Sequence, residues 1–234
     1  EYSGRPLDYY RNLRVTNPSN YLYFYDFGDY QIIGASPESL VSVKRGQVTT
    51  NPIAGTRPRG KDEREDKALA EELLADEKEV AEHRMLVDLG RNDIGKIAQN
   101  NSVEVTKYME VEYFHYVMHL TSVVRGQLLP QLTAMDALKS TLPAGTVSGA
   151  PKIRAMKRIY ELEQEKRGVY AGAIGYLSAT GDMDFAIAIR TMILKNGRAY
   201  VQAGAGIVYD SIPTNEYQET INKAKSMTKI GEMQ

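Results

Sequence analysis

Apolar and polar positions change period several times along the chain, and each change marks an element. Between residues 21 and 50, aromatic and β-branched residues come in short runs: Tyr21–Phe27, Tyr30–Ala35, Leu40–Lys44 and Gln47–Thr50. Gly28-Asp29 and Arg45-Gly46 separate them. Such dipeptides tolerate the positive φ of tight hairpins, so a meander of strands running on to Thr56 is predicted. From Glu65 to Leu89 the period lengthens. Leu69, Leu73, Val80 and Val87 recur at near-helical spacing with no intervening Gly or Pro, which predicts one long helix. Tyr113–Arg125 again reads as strand. Thr133-Ala134-Met135-Asp136 carries a capping signal for a short helix, and Pro151 suits the first position of another reaching about Gln164. Three strands follow, joined by Gly181-Asp182 and Asn196-Gly197, and a last helix starts near Pro213. Strands in antiparallel runs, instead of single strands alternating with single helices, predict an α+β fold with antiparallel sheets and exclude a doubly wound one.

Composition narrows the partners. The chain has 234 residues, which suits one large domain or two small ones with a core that needs no staple. It has no cysteine, so disulfides and thiolate metal sites are excluded. Lys plus Arg number 29 against 30 Asp plus Glu, a net charge of −1 that offers no field to attract nucleic acid. Any anion must be recognised locally. The opening Glu1-Tyr2-Ser3-Gly4-Arg5-Pro6 lacks a basic start and an apolar run, and no later stretch approaches a membrane span. A soluble, cytoplasmic protein is expected. The absence of an initiator Met is expected to reflect a longer natural chain or processing of its start.

The hairpins gather scattered polar residues. If Asn196-Gly197 and Gly181-Asp182 are both two-residue loops, Arg190 lies opposite Ala203 on one side and Ala173 on the other, beside Gly204-Ala205-Gly206. Glycines let backbone N–H groups approach an anion, and a guanidinium between small residues offers a two-pronged donor to a carboxylate. Tyr170 could add a hydroxyl. The plainer reading is an Arg at a sheet edge beside a glycine bulge. With Arg45-Gly46 as a tight turn, Glu38 faces Ile53, near Gly55-Thr56. Glu79 and Glu82 are spaced i, i+3 and share a face with His83 and Leu86; Glu216 and Glu219 repeat that spacing, with Lys223 one turn on. Two such pairs could converge on Mg²⁺, or they are ordinary surface glutamates with a Glu219–Lys223 ion pair. His119 alternates with apolar neighbours, as a satisfied core histidine does. The loop Pro143–Lys152 could cradle an anion but is not a Walker loop, Gly90-Arg91-Asn92-Asp93 reads as a helix stop, and the sixteen tyrosines read as sheet packing.

Taken together, Gly34-Ala35-Ser36-Pro37-Glu38, Pro52–Gly60, Glu79–Asp93 (EVAEHRMLVDLGRND), Val117-Met118-His119, the Ala144–Lys152 loop, Ala186–Thr191 (AIAIRT), Gln202–Gly206 and Glu219–Ala224 resemble the chorismate-utilising enzymes, and within them the anthranilate synthase large-subunit branch. The resemblance implies antiparallel β-sheets packed as a sandwich with helices outside, and residues 1–234 as a single, partial catalytic domain from which the family's N-terminal regulatory region is absent. It implies Mg²⁺ held by Glu82 and Glu219, with Glu79 and Glu216 around its waters. Tyr170, Arg190 and the Gly204-Ala205-Gly206 backbone would bind the enolpyruvyl carboxylate, with Lys223 nearby. Gly55, Thr56, Thr146 and His119 would line the ring, with His119 and Thr146 counted, like Glu38, among the catalytic residues. Glu38 would be the acid that protonates the departing C4 hydroxyl. The implied reaction converts chorismate to anthranilate and pyruvate, a step of tryptophan biosynthesis. With no cysteine in the chain, its ammonia is expected from a separate glutamine amidotransferase subunit. Ala54 argues against aminodeoxychorismate synthases, which commonly carry a lysine there. Isochorismate-type relatives use a lysine base on an upstream strand not found here. Asn20-Tyr21-Leu22 after Asn17-Pro18-Ser19 departs from the family's tryptophan contact. Chorismate binding without catalysis is the other open reading.

Overall fold

The structure, a computed structural model, describes residues 2, 4–114 and 117–228. His115 and Tyr116 of the expected strand lie outside the described residues. A helix absent from the sequence reading comes first. In α1 (Pro6–Thr16), Pro6 sits at the helix start, and Tyr9 and Leu13, one turn apart, are buried. Then come β1 (Tyr21–Asp26), β2 (Tyr30–Ser36), β3 (Ser39–Lys44), β4 (Gln47–Thr50) and β5 (Ile53–Pro58), followed by α2 (Glu63–Ala75) and α3 (Glu77–Gly95). Next are β6 (Glu104–Tyr113), β7 (Val117–Gln127), α4 (Ala134–Thr141), the single turn α5 (Gly145–Ser148) and α6 (Lys152–Leu162). The chain ends with β8 (Ala173–Leu177), β9 (Met183–Ile187), β10 (Thr191–Lys195), β11 (Arg198–Val201) and α7 (Pro213–Thr228).

The α+β class with antiparallel sheets holds: one sheet runs β1-β2-β10-β11, the other β5-β7-β4-β3-β9-β8, with β6 on the far side of β7. Among the described residues no helix is long and apolar enough to cross a membrane. The capping box at Thr133 and Asp136 forms as its sequence implies.

Three local expectations fail for physical reasons. The long helix is two helices, because Asp76 leaves the helical conformation and its carboxylate accepts from the Lys78 and Glu79 N–H groups, both at 3.1 Å, starting α3 afresh. Gly90–Asp93 is not a stop, since α3 runs on to Gly95. The Gly181-Asp182 turn is not a two-residue loop. Leu177 pairs with Met183, so five residues form the loop and Ala173 faces Ile187 instead of Arg190.

The last failure hides a larger one. What reads as one strand through Arg190 is two, β9 in the larger sheet and β10 in the smaller. Arg190, at φ 49°, turns the chain between them. The meander divides likewise at Ser36-Pro37-Glu38, where the chain leaves β2 for β3 in the other sheet. These two crossings are bound to each other. Ser36 Oγ donates to the Ile187 carbonyl at 2.7 Å, Ile187 N–H to the Glu38 carbonyl at 3.0 Å, and Ala35 N–H to the Arg190 carbonyl at 3.0 Å.

Each sheet carries its own core. Leu40, Val41 and Val48 of the larger sheet pack with Val87 and Ile94 of α3 and with Ala137 of α4, while Ile33 and Leu194 of the smaller pack with Leu13 of α1 and Met227 of α7. A polar pin holds α3 in place: buried His83 lies 2.6 Å, through Nε2, from Ser122 Oγ of β7, which accepts from Met109 N–H. Burial pushes the His83 pKa down to about 4, so the pin is uncharged at neutral pH. Because Ser36 is fully buried at the double crossing, Ser36→Ala is expected to cost about 1–3 kcal/mol. Urea unfolding checks this, and a change under about 0.5 kcal/mol in the variant, small by the same scale, would show the crossing does not depend on that hydroxyl.

Candidate active site

The two crossings, tied together by hydrogen bonds, carry an acid and a guanidinium. Glu38 ends the first and Arg190 the second, and neither position is a feature of either sheet alone. The Glu38 carboxyl is shielded from water, which pushes its pKa up to about 7; a hydrogen bond with Thr146 and the Lys223 ammonium pull partly the other way. Its carboxyl is therefore partly protonated near neutrality, unlike an ordinary glutamate. Arg190 is also desolvated, which pulls its pKa down. The two-residue loop at Asn196-Gly197 forms, with Lys195 facing Arg198, but ladder pairing ends at Met192 and Val201, short of Arg190 and Ala203. On the other side the neighbour is not Ala173, which faces Ile187, and the last bonds before Arg190 are those Ala188 makes with Ala171 and Gly172.

The glycine segment after β11 is where the elements meet. A side chain at Gly204 would put its first carbon 2.7 Å from the Tyr170 hydroxyl, and one at Gly206 would put it 3.6 Å from Glu82 Oε1. Lys223 of α7 donates to the Gly204 carbonyl at 3.2 Å and pairs with Glu219 at 2.6 Å. Ala205 lies between. The 204–206 backbone therefore lies against Tyr170, Lys223 of α7 and Glu82 of α3.

Gly55 packs against α2 and α3. It has φ +72°, and a Cβ there would come within 3.3 Å of Glu79 Oε2 and 3.1 Å of Leu73, so the position excludes side chains by conformation and by space. The Gly55 carbonyl lies 3.1 Å from His119 Nδ1, and Thr56 Oγ1 lies 3.0 Å from the same nitrogen. A carbonyl accepts only, which assigns the proton to Nδ1 and leaves Nε2 its lone pair. Burial lowers the His119 pKa, with the Gly55 carbonyl opposing, so the ring is neutral. It is no core histidine satisfied by apolar neighbours. Glu38 does not face Ile53 as expected, since Ile53 of β5 pairs with Thr121 of β7 and β5 does not pair with β3.

The acidic pairs behave differently from one another. Glu79 is half-buried, and its pKa is raised by desolvation and then by the nearby Glu82 charge. Two like charges held together on α3 favour a cation between or beside them. Glu219 is engaged by Lys223. Glu216 stands in the first turn of α7. Among the described residues no cluster of three acidic or histidine side chains is gathered closely enough to hold a metal.

Two motifs left without a partner by the sequence find each other. Lys152, at the start of α6, pairs with buried Asp93 of α3 at 2.6 Å and donates to the Thr141 carbonyl at 3.0 Å. This anchors both ends of the segment that carries Thr146. Arg167 ties the same segment through the Val147 carbonyl at 2.6 Å and lies over the Tyr170 ring at 5.4 Å. Neither Asp93–Lys152 nor Arg167 has a sequence signal, because 59 positions separate the first pair and the second contact is to a backbone carbonyl.

The comparisons with known proteins fall in line with this geometry. The family of chorismate binding enzymes matches residues 1–229. Anthranilate synthase component 1 of Lactococcus lactis subsp. lactis is 63% identical over 99% of this chain and 51% of its own length. The Pseudomonas aeruginosa protein of the same name is 58% identical over 97% of this chain and 46% of its own. The chain thus spans about half the length of these curated relatives. The crystal structure of anthranilate synthase component I from Streptococcus pneumoniae superposes with a TM-score of 0.91 at 83% identity, covering 97% of this chain and 50% of that one. The menaquinone-specific isochorismate synthase of Escherichia coli gives 0.88 at 27% identity, covering 98% and 53%.

A pH test isolates Glu38. Its pKa rises from an ordinary 4.5 to about 7, so between those values the fold keeps a proton that the unfolded chain has released, and stability falls as pH rises through that window. Glu38→Gln, neutral throughout, is expected to melt at a higher temperature than wild type at about pH 8 and to lose that advantage at about pH 4.5. Calorimetry at the two pH values measures it, and a pH-independent difference would show that the carboxyl is not held protonated.

Proposed function

The chain belongs to the chorismate binding enzymes, and from that premise we propose that it is the catalytic part of an anthranilate synthase large subunit, converting chorismate and ammonia to anthranilate, pyruvate and water. What supports this reading is Glu38, whose pKa burial pushes up to about 7, together with the Tyr170 hydroxyl packed against Gly204 and the desolvated Arg190. Identities of 58–63% to anthranilate synthase components support it over the 27% seen with an isochorismate synthase.

In this reading Arg190 and Tyr170 bind the enolpyruvyl carboxylate, together with the N–H groups around Gly204, Ala205 and Gly206. Lys223 holds that backbone in place through the Gly204 carbonyl. Gly55, Thr56, His119 and Thr146 form the walls around the ring. Glu38 gives its proton to the C4 hydroxyl as the C4–O bond breaks, so that water leaves instead of hydroxide while ammonia forms the new bond at C2. Loss of pyruvate then gives the aromatic amine. Ammonia comes from a glutamine amidotransferase subunit, since this chain has no cysteine to act as its own glutaminase nucleophile.

Carboxylates suit a hard, oxygen-seeking cation: Glu79 and Glu82 repel one another on α3, and Glu219 and Glu216 of α7 would have to draw in toward them to add oxygen donors for Mg²⁺. Bound there, Mg²⁺ would neutralise the ring carboxylate. The Lys223 ammonium now paired with Glu219 supplies part of that positive charge from the protein itself.

Anthranilate fluorescence should appear from chorismate, ammonium and Mg²⁺ without glutamine. Exclusive formation of the para isomer or of isochorismate would overturn the assignment, and tight chorismate binding with no product would favour a binding domain. Glu219→Gln should abolish the Mg²⁺-dependent activity without lowering the melting temperature; retained activity would remove Glu219 from the metal. Arg190→Lys keeps the charge but loses the two-pronged geometry, and KM for chorismate should rise at least about tenfold, equivalent to about 1.4 kcal/mol.

A further inference from the structure

The buried Asp93–Lys152 ion pair takes no part in the proposed chemistry. Lys152, at the start of α6, is 11% exposed and Asp93 of α3 is 6% exposed, and they meet at 2.6 Å. The same ammonium donates to the Thr141 carbonyl at 3.0 Å, and Ser140 Oγ donates to the Asp93 carbonyl at 2.6 Å. Both ends of the 141–152 segment thus converge on Asp93. Taking two charges out of water is expensive, and an apolar pair would join the two helices at lower cost. What the ion pair adds is direction, because the ammonium meets its carboxylate and its carbonyl together only from one position.

Between the tied ends lies Thr146. It sits in the single turn α5 and is exposed, so its side chain is held by the backbone that carries it more than by packing. That turn lies directly on α3: a side chain at Gly145 would collide with Leu89. Leu86, Leu89 and Asp93 follow one another at helical spacing, so the turn and the ion pair rest on one face of α3. Glu38 and Thr146 line a recess of about 60 Å³ with these three residues and Thr141. Open space beside the turn withholds contacts that would otherwise fix it, which leaves the polar ties to set where the Thr146 hydroxyl points. That hydroxyl bonds to the Glu38 carboxyl and lowers its pKa against the effect of burial.

We propose that Lys152 is a positioning residue: clasped to Asp93, it sets the 141–152 segment on α3 so that the Thr146 hydroxyl meets the Glu38 carboxyl. The proposal rests on the reading of Glu38 as the acid. Lys152 and Asp93 touch no substrate and exchange no proton with Glu38. They act through the backbone from Lys152 back to Thr146, with the Arg167 bond to the Val147 carbonyl at 2.6 Å bracing the same turn.

The titration of Glu38 in the free protein tests this, followed through the infrared carboxyl band that Glu38→Gln lacks. The Lys223 charge also bears on Glu38 and is common to every variant. Thr146→Val removes the hydroxyl, and the Glu38 pKa should rise by about one pH unit, the worth of a hydrogen bond to a charged group. Lys152→Gln should give a rise of similar size while leaving Asp93 its partner Lys96, 3.1 Å away. Thr146→Val combined with Lys152→Gln should titrate as Thr146→Val alone, because both changes break the same bond. Asp93→Asn approaches the pair from α3, should shift the titration in the same direction, and takes the place of Lys152→Gln if that variant does not fold. A lower melting temperature with wild-type titration, or additive shifts in the double variant, would reduce the pair to a structural clasp and overturn the role. In the active enzyme the alkaline limb of the kcat profile should move up with the titration. A titration shift with an unmoved profile would remove Glu38 as the acid while the positioning role stands.

Discussion

The site depends on the paired crossings between the sheets. A strand that leaves one sheet for another exposes backbone groups that each ladder would otherwise satisfy, and buried, they cannot be left unmet. Here the first crossing satisfies the second: Ser36 and Glu38 bond with Ile187, and Ala35 with Arg190. The solution comes with a geometric by-product. Two residues that would be unremarkable within a strand become end points of neighbouring crossings, where side chains are not committed to the face of a sheet. An acid and a guanidinium are thereby fixed by the strongest constraint in the fold, backbone hydrogen bonding, and not by loops.

The same burial sets the charge states. Glu38, Arg190, His119 and Glu79 all have their charged forms disfavoured by lost solvation, and for each it is the largest influence. Such groups weaken the free protein, which must be stabilised elsewhere, by cores such as those around Val41 and Leu194. What is gained is preorganisation, because a ligand carboxylate meeting a desolvated guanidinium displaces little water and interacts at low effective dielectric.

Much of this was readable from residue order. The hairpin at Asn196-Gly197 fixed its register, the capping signals at Thr133 and Pro151 marked real helices, and the i, i+3 spacing put Glu79 and Glu82 on one helix face. The failures share a cause. Gly181-Asp182 looks like a tight turn and is part of a five-residue loop, Asp76 looks like an ordinary helical residue and is a cap, and the run through Arg190 looks like one strand and is two. In each case a short-range pattern is overruled by a partner far along the chain: Arg57 on Asp76 at 2.8 Å, Asp182 on the Arg45 N–H at 2.8 Å, and Ala35 on Arg190. Periodicity carries no record of such partners. The Asp93–Lys152 anchor was illegible for the same reason.

The helices bearing the four glutamates stand on different ground. Helix α3 packs against strands of the larger sheet, whereas α7 reaches the core of the smaller one through Met227. The distance between the two carboxylate pairs therefore depends on how the two sheets are set against each other as well as on either helix. A rotation of a few degrees about the crossings is multiplied along the helix as along a lever arm, so carboxylate separation is a sensitive gauge of how the two halves of the molecule are set against each other.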